Sequence, residues 1–189
     1  DAQYFLDYAN GVRSRSSGGL ARVIGLARRA RDAGYEATGV TAYRNASIMA
    51  IRLMDYDDAR SSLREGLRYA DEIEQSYCRR LMAATSALLA WAAGDWAEAV
   101  RTAQLELVER GSLRGSMGSR DALGFVAFGR GDVERARALL DDSLALGRQS
   151  GEIAPLLPAL WGLAETALVA NEPAVAIGLY TRALHAWGL

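Results

Sequence analysis

The sequence predicts an all-α repeat domain, and three observations carry that prediction. Alanine and leucine, both strong helix formers, dominate the composition, while proline occurs 3 times in 189 residues. Half of the residues are hydrophobic, enough to bury a sizeable core. A six-residue pattern also recurs four times along the chain, and self-similarity in a helical sequence points to stacked units.

The clearest copy of the pattern is Gly94-Asp95-Trp96-Ala97-Glu98-Ala99. The others are Met54-Asp55-Tyr56-Asp57-Asp58-Ala59, Gly131-Asp132-Val133-Glu134-Arg135-Ala136 and Asn171-Glu172-Pro173-Ala174-Val175-Ala176. Their closing alanines are 40, 37 and 40 residues apart. Gly94, Gly131 and Asn171 suit a left-handed helix C-cap. Met54 does not, so the first turn is expected to close differently. Asp55, Asp95 and Asp132 can cap the next helix by accepting from its free backbone N–H groups. Glu172 is a weaker cap, offset by Pro173 at the first helical position. The alanines allow two helices to approach closely. Twelve residues before them stand the small residues Ser47, Ala87, Gly124 and Ala164; four residues after stand Leu63, Ala103, Leu140 and Tyr180, mostly core formers.

This arrangement resembles the tetratricopeptide (TPR) repeat. The resemblance covers roughly residues 35–187 in four helical pairs. It implies a right-handed α-α superhelix, a TPR-like solenoid, of about four pairs plus N-terminal helices. The units are longer than the family's usual repeat and lack its terminal proline. In that respect they are similar to the alanine-rich repeats of large bacterial transcriptional regulators of the MalT/LuxR type.

In chain order, residues 1–10 read as a helix and the Gly/Ser-rich stretch 11–19 as a loop, followed by a helix at 20–33. Residues 1–34 thus form N-terminal helices or a partial repeat. Residues 35–189 form one continuous domain of four pairs: 36–53 with 56–75, 77–93 with 96–110, 119–129 with 132–148, and 153–170 with 173–187. Residues 111–119 read as a linker, with a closely packed helix start as the alternative. Beginning at Asp1 without a methionine, the chain reads as part of a longer protein.

Several chemistries find no residues here. All 22 basic residues are arginine, so neither a P-loop lysine nor a Schiff-base lysine exists. One histidine, His185, and one cysteine, Cys78, make a His/Cys zinc site implausible. A formal net charge of -1 gives no electrostatic case for direct nucleic-acid binding or membrane adhesion. The longest apolar run, Leu81 to Ala93, is too short to span a bilayer. No signal peptide is evident and no disulfide can form within the chain, which fits the cytoplasm. No cofactor, metal or catalytic residue is expected.

Local motifs yield to structural explanations. Asp55, Asp57 and Asp58 lie at a helix start, where carboxylates complement the macrodipole. Asp141 and Asp142 fall on a surface-facing turn. Arg130-Gly131-Asp132 spells an adhesion tripeptide but coincides with the recurring turn. The stretch 111–120, with Arg114 and Arg120, could nest an anion, yet no strand precedes it. Cys78 reads as a half-buried structural thiol, and His185 as a surface or packing residue.

In the resembled repeat, the groove is lined by residues 18, 15, 11 and 8 positions before the closing alanine. Carried over copy by copy, this implies Thr41, Arg44, Ile48 and Ile51; Leu81, Ala84, Leu88 and Trp91; Gly118, Asp121, Phe125 and Phe128; and Pro158, Trp161, Glu165 and Leu168. The surface is apolar and aromatic, suited to a peptide, a protein helix or an apolar small-molecule effector. The alternative is that the aromatics simply fill the coil. Function is expected to be that of a ligand- or protein-binding regulatory domain of a bacterial transcriptional regulator, reporting to neighbouring domains. The alternatives are a stand-alone interaction scaffold and, with less support, a helical-repeat enzyme using Asp121 with Glu165. The last helix carries Val175, Ile177, Leu179, Leu184 and Trp187, which favours docking or a homodimer.

Overall fold

The computed structural model describes residues 17–108, 113–150 and 156–187, and every regular element among them is an α-helix. In chain order these are α1 (Ser17–Asp32), α2 (Glu36–Arg52), α3 (Tyr56–Glu72), α4 (Ser76–Ala92), α5 (Trp96–Val108), α6 (Leu113–Gly129), α7 (Val133–Ser150), α8 (Leu156–Val169) and α9 (Pro173–Trp187). The expected loop at 11–19 and linker at 111–119 both need correction. Ser17, Gly18 and Gly19 open α1, and 113–119 form the first two turns of α6. The helix expected at 1–10, the rest of that loop and residues 111 and 112 lie outside the described residues. Glycine serves packing in α6: a Cβ at Gly118 would stand 3.2 Å from Ala84 Cβ on α4.

Helices α2–α3, α4–α5, α6–α7 and α8–α9 are the four expected antiparallel pairs, and α1 packs on α2 as a second helix packs on the following first one. First helices of successive pairs also touch: α2 with α4, α4 with α6, and α6 with α8. Among the described residues, second helices make no comparable contact with each other, so the first helices form the inner layer of a solenoid.

Six turns close alike. At Gly34, Met54, Glu74, Gly94, Gly131 and Asn171 the backbone is left-handed, with φ between 53° and 84°. At each, two N–H···O bonds tie the turn to the preceding helix; at Met54 these run from Met54 N to Ile51 O at 3.0 Å and from Asp55 N to Ala50 O at 2.9 Å. This is the Schellman closure, which satisfies otherwise orphaned carbonyls. The expectation that the turn at Met54 closes differently is therefore overturned. The two hydrogen bonds and the following cap outweigh the steric cost of a side chain at φ 59°. The aspartates cap as expected: Asp55, Asp95 and Asp132 each accept through Oδ1 from the N–H three residues on, at 3.1–3.2 Å.

The core is a series of clusters that follow the stack. The largest runs from Leu20 and Val23 of α1 through Tyr43 of α2 and Leu63 of α3 to Met82 and Leu89 of α4. Another joins Phe125 of α6, Leu140 and Leu144 of α7, and Leu160 and Leu163 of α8. Closing alanines Ala59, Ala99, Ala136 and Ala176 are all fully buried.

Candidate functional site

Three aromatic residues from three successive first helices meet on the inner layer. Trp91 lies in the last turn of α4, Phe125 within α6 and Trp161 in the first half of α8. They stand 8, 11 and 15 residues before their closing alanines, so they trace a diagonal across the stacked helices. Ring centroids are 4.7 Å apart for Trp91–Phe125, 5.3 Å for Phe125–Trp161 and 6.4 Å for Trp91–Trp161. The two contacts of Trp161 are edge-to-face, the favoured geometry for ring quadrupoles.

Burial divides the three. Phe125 is 5% exposed and belongs to the core, whereas Trp161 is 43% exposed and Trp91 half-buried. Gly162 permits the arrangement: a Cβ there would stand 2.7 Å from Phe125 Cε1 and 2.8 Å from Leu140 Cδ1. Leu88 and Trp91 of α4 pack over the same cluster. Leu168, two turns along α8 from Trp161, is exposed. The three rings lie too close to enclose a guest between them. Of the three, Trp161 is the most exposed, with half-buried Trp91 beside it.

The remaining inner-layer residues differ in what they can offer. Thr41, Arg44, Ile48, Ile51, Leu81, Gly118, Phe128 and Pro158 are half-buried, and Ala84 is buried. Arg44 donates from Nη2 to Asn45 Oδ1 at 3.1 Å. Glu165 is half-buried and accepts a hydrogen bond from the Tyr180 hydroxyl of α9. That bond, then burial, raises the Tyr180 pKa.

Asp121 takes a position the sequence did not disclose. It is 2% exposed, and its Oδ1 has no hydrogen-bond partner among the described residues. Burial pushes its carboxyl up to about 7, against the opposing pull of the Ser143 hydroxyl on α7. Ser143 Oγ also lies 3.3 Å from the Met117 carbonyl, so two acceptors compete for its one proton. The carboxylates considered as an acid–base pair are therefore directed to different neighbours, Asp121 to Ser143 and Glu165 to Tyr180.

The other motif residues have structural surroundings. Asp57 accepts from Arg60 at 2.9 Å, and Asp142 lies 3.9 Å from Arg120 on the exposed side of α7. Arg120 donates to the Ser116 carbonyl within its own helix, which takes in residues 113–120 of the candidate nest. Cys78 is buried rather than half-buried, and His185 is exposed. Sequence reading missed the polar junction of Arg28, Arg31, Tyr43 and Glu65, because no local motif links residues 12 to 37 positions apart.

No protein-family model matches the chain, nor does any curated protein. Solved structures do. A Podosopora anserina protein described as a kinesin light chain with nearly identical TPR-like repeats matches in two forms, one of them a point variant. The point variant is 13% identical over 98% of this chain and 92% of that one, with a TM-score of 0.60. The other form is 13% identical over 98% and 93%, with a TM-score of 0.58. BtubC (BKLC) from P. vanneervenii is 16% identical over 99% of this chain and 89% of that one, with a TM-score of 0.49. The first two place the chain's fold among TPR-like helical-repeat solenoids.

Proposed function

We propose that this chain is an interaction scaffold that binds an apolar segment of a partner protein along the inner layer, with Trp161 as the anchor. The observation that carries this reading is the aromatic diagonal, in which a buried Phe125 holds a large, exposed tryptophan in a fixed orientation. Pre-ordered aromatic side chains lose little entropy on binding and dominate the energetics of interfaces. Leu168, exposed two turns further on the same helix, supplies a second apolar contact at helical spacing. An amphipathic helix matches both. Its other inner-layer contacts would be Arg44, Ile48, Leu88, Trp91 and Phe128, with Phe125 and Asp121 acting from behind the surface.

The long, alanine-rich repeats favour a regulatory setting for this scaffold, as the sensor array of a bacterial transcriptional regulator of the MalT/LuxR type. Occupancy of the groove would then alter packing between pairs and be reported to neighbouring domains. Neither setting calls for a catalytic residue.

The test compares partner retention by immobilised wild-type chain with Trp161→Ala and Leu168→Ala variants. Both side chains are exposed, so helical content should be unchanged. Proteins lost selectively from the variants define the partner. Equal retention by all three sinks the assignment of the inner layer. A regulatory role further requires that a bound effector shift the melting temperature of the wild type and not of Trp161→Ala.

A further inference from the structure

The seam between α6 and α7 sets one polar contact between two close apolar ones. At helical spacing, Gly124, Asp121 and Met117 of α6 meet Leu140, Ser143 and Gly147 of the antiparallel α7. A Cβ at Gly124 would stand 2.7 Å from Leu140 Cγ. One at Gly147 would stand 2.7 Å from Met117 Cε and overlap Leu156 of α8. Met117, Leu140 and Ser143 are as fully buried as Asp121 itself, so water reaches this carboxyl only if the two helices part. Inside the closed seam, Oδ1 of Asp121 has no hydrogen-bond partner among the described residues, and the Met117 carbonyl competes for the Ser143 proton. A neutral acid suits such surroundings; a carboxylate, short of donors and shut off from water, does not.

The helices packed on α6 bring Asp121 no counter-charge: among the described residues, burial and the Ser143 hydroxyl are what act on it. On α7, Asp142 is exposed and lies 3.9 Å from Arg120. On α8, Glu165 accepts from Tyr180. On α5, Glu106 is buried but is not among the groups that act on Asp121. On α4, Ala84 stands opposite Gly118, and Arg79 pairs with Asp71 at 2.6 Å. We propose that the α6–α7 seam is a proton-held joint within the array, closed while Asp121 is the neutral acid and opened locally when the proton leaves. Opening lets water solvate the carboxylate. Because Gly147 seats Leu156, it also frees the start of α8, which carries Trp161 five residues further on. The first pair has no such joint: its Glu65 is bonded by Arg28 and Tyr43 and stays closed as pH rises.

Amide hydrogen exchange of the 189-residue chain, read peptide by peptide at about pH 5 and 7.5 with labelling times scaled for the intrinsic rate, tests this. Protection across α6, α7 and the start of α8 should fall at least about tenfold at the higher pH, while α2 and α3 keep theirs. Asp121→Asn should abolish that dependence. Ser143→Ala should carry the loss of protection to higher pH, because the hydroxyl favours the charged carboxylate. Circular dichroism of each variant establishes that it is folded. Three results would overturn the proposal: protection of α6 and α7 that does not change with pH, a loss spread equally over α2 and α3, or a folded Asp121→Asn that responds as the wild type does. Should Asp121→Asn fail to fold, Ser143→Ala decides, and an unmoved pH response in it counts equally against the joint.

Discussion

The hydroxyl of Tyr43 on α2 donates to Glu65 Oε2 on α3 at 3.0 Å, and through that bond the first helical pair is tied to α1. Arg31 of α1 donates to the same hydroxyl at 3.0 Å, and Arg28 clamps Glu65 from Nε at 3.1 Å and from Nη2 at 2.7 Å. Burial, then the bond to Glu65, pushes the Tyr43 pKa up to about 12, so the phenol stays neutral across the physiological range. The hydrogen bond from Arg28 leads the causes that hold the Glu65 pKa below its ordinary value. Tyr43→Phe should therefore destabilise the chain by about 1–2 kcal/mol in urea titrations. Glu65→Gln should remove an acid-sensitive contribution. The native pKa of Glu65 is lowered, so its stabilisation is present above the ordinary carboxylate range and is lost as pH falls through the native pKa.

Asp121 should behave in the opposite sense. Its native pKa of about 7 lies above the ordinary value of 3.8. The folded chain therefore holds this proton more tightly than the unfolded one, and stability falls as pH rises between those two values. The full penalty, on the order of a few kcal/mol, is reached above about pH 7. Asp121→Asn keeps the shape and removes the titration. Denaturation at about pH 4.5, 6 and 8 should show the variant gaining on the wild type as pH rises; a constant difference would refute the assignment.

Ala99 and Ala136 are fully buried at their helix crossings. Leucine at either should overpack the crossing and cost about 1–3 kcal/mol in thermal or urea unfolding. Unchanged stability in both would remove the basis for the repeat register.

Met54 and Glu74 hold side chains in left-handed backbone, at φ 59° and 53°. Replacing either with glycine should raise stability, by about 0.5–1 kcal/mol, because relief of the steric cost exceeds the added freedom of the unfolded chain. Gly94→Ala should do the reverse by a similar amount. Melting temperatures of the three variants check both signs together.

What the sequence could reveal follows from how local each feature is. The capping aspartates were legible because Asp95 and the N–H it accepts from are three residues apart. Left-handed turns at Gly34 and Glu74 went unread because neither is followed by an aspartate cap, and Glu74 offers no glycine to mark the conformation. The opening of α6 was obscured by its Gly/Ser content, a loop signal in isolation that here answers to the close approach of α4. Trp91, Phe125 and Trp161 could be placed on one layer by counting from the alanines. That count was blind to the burial of Asp121 against Ser143, which depends on how α6 rotates against α7.

Gly34, Met54, Glu74 and Gly94 follow one another at intervals of 20 residues, and each closes its helix through the same pair of hydrogen bonds. Such a chain can change length only in certain increments. Removing residues 55–94 would join Met54 to Asp95, rebuilding the same turn with the same capping aspartate and leaving one pair fewer. Removing a single 20-residue unit would restore a turn as well, but would set an outer-layer helix where an inner-layer helix belongs. The spacing of the turns therefore makes the helical hairpin, rather than the helix, the heritable unit by which this array can grow or shrink.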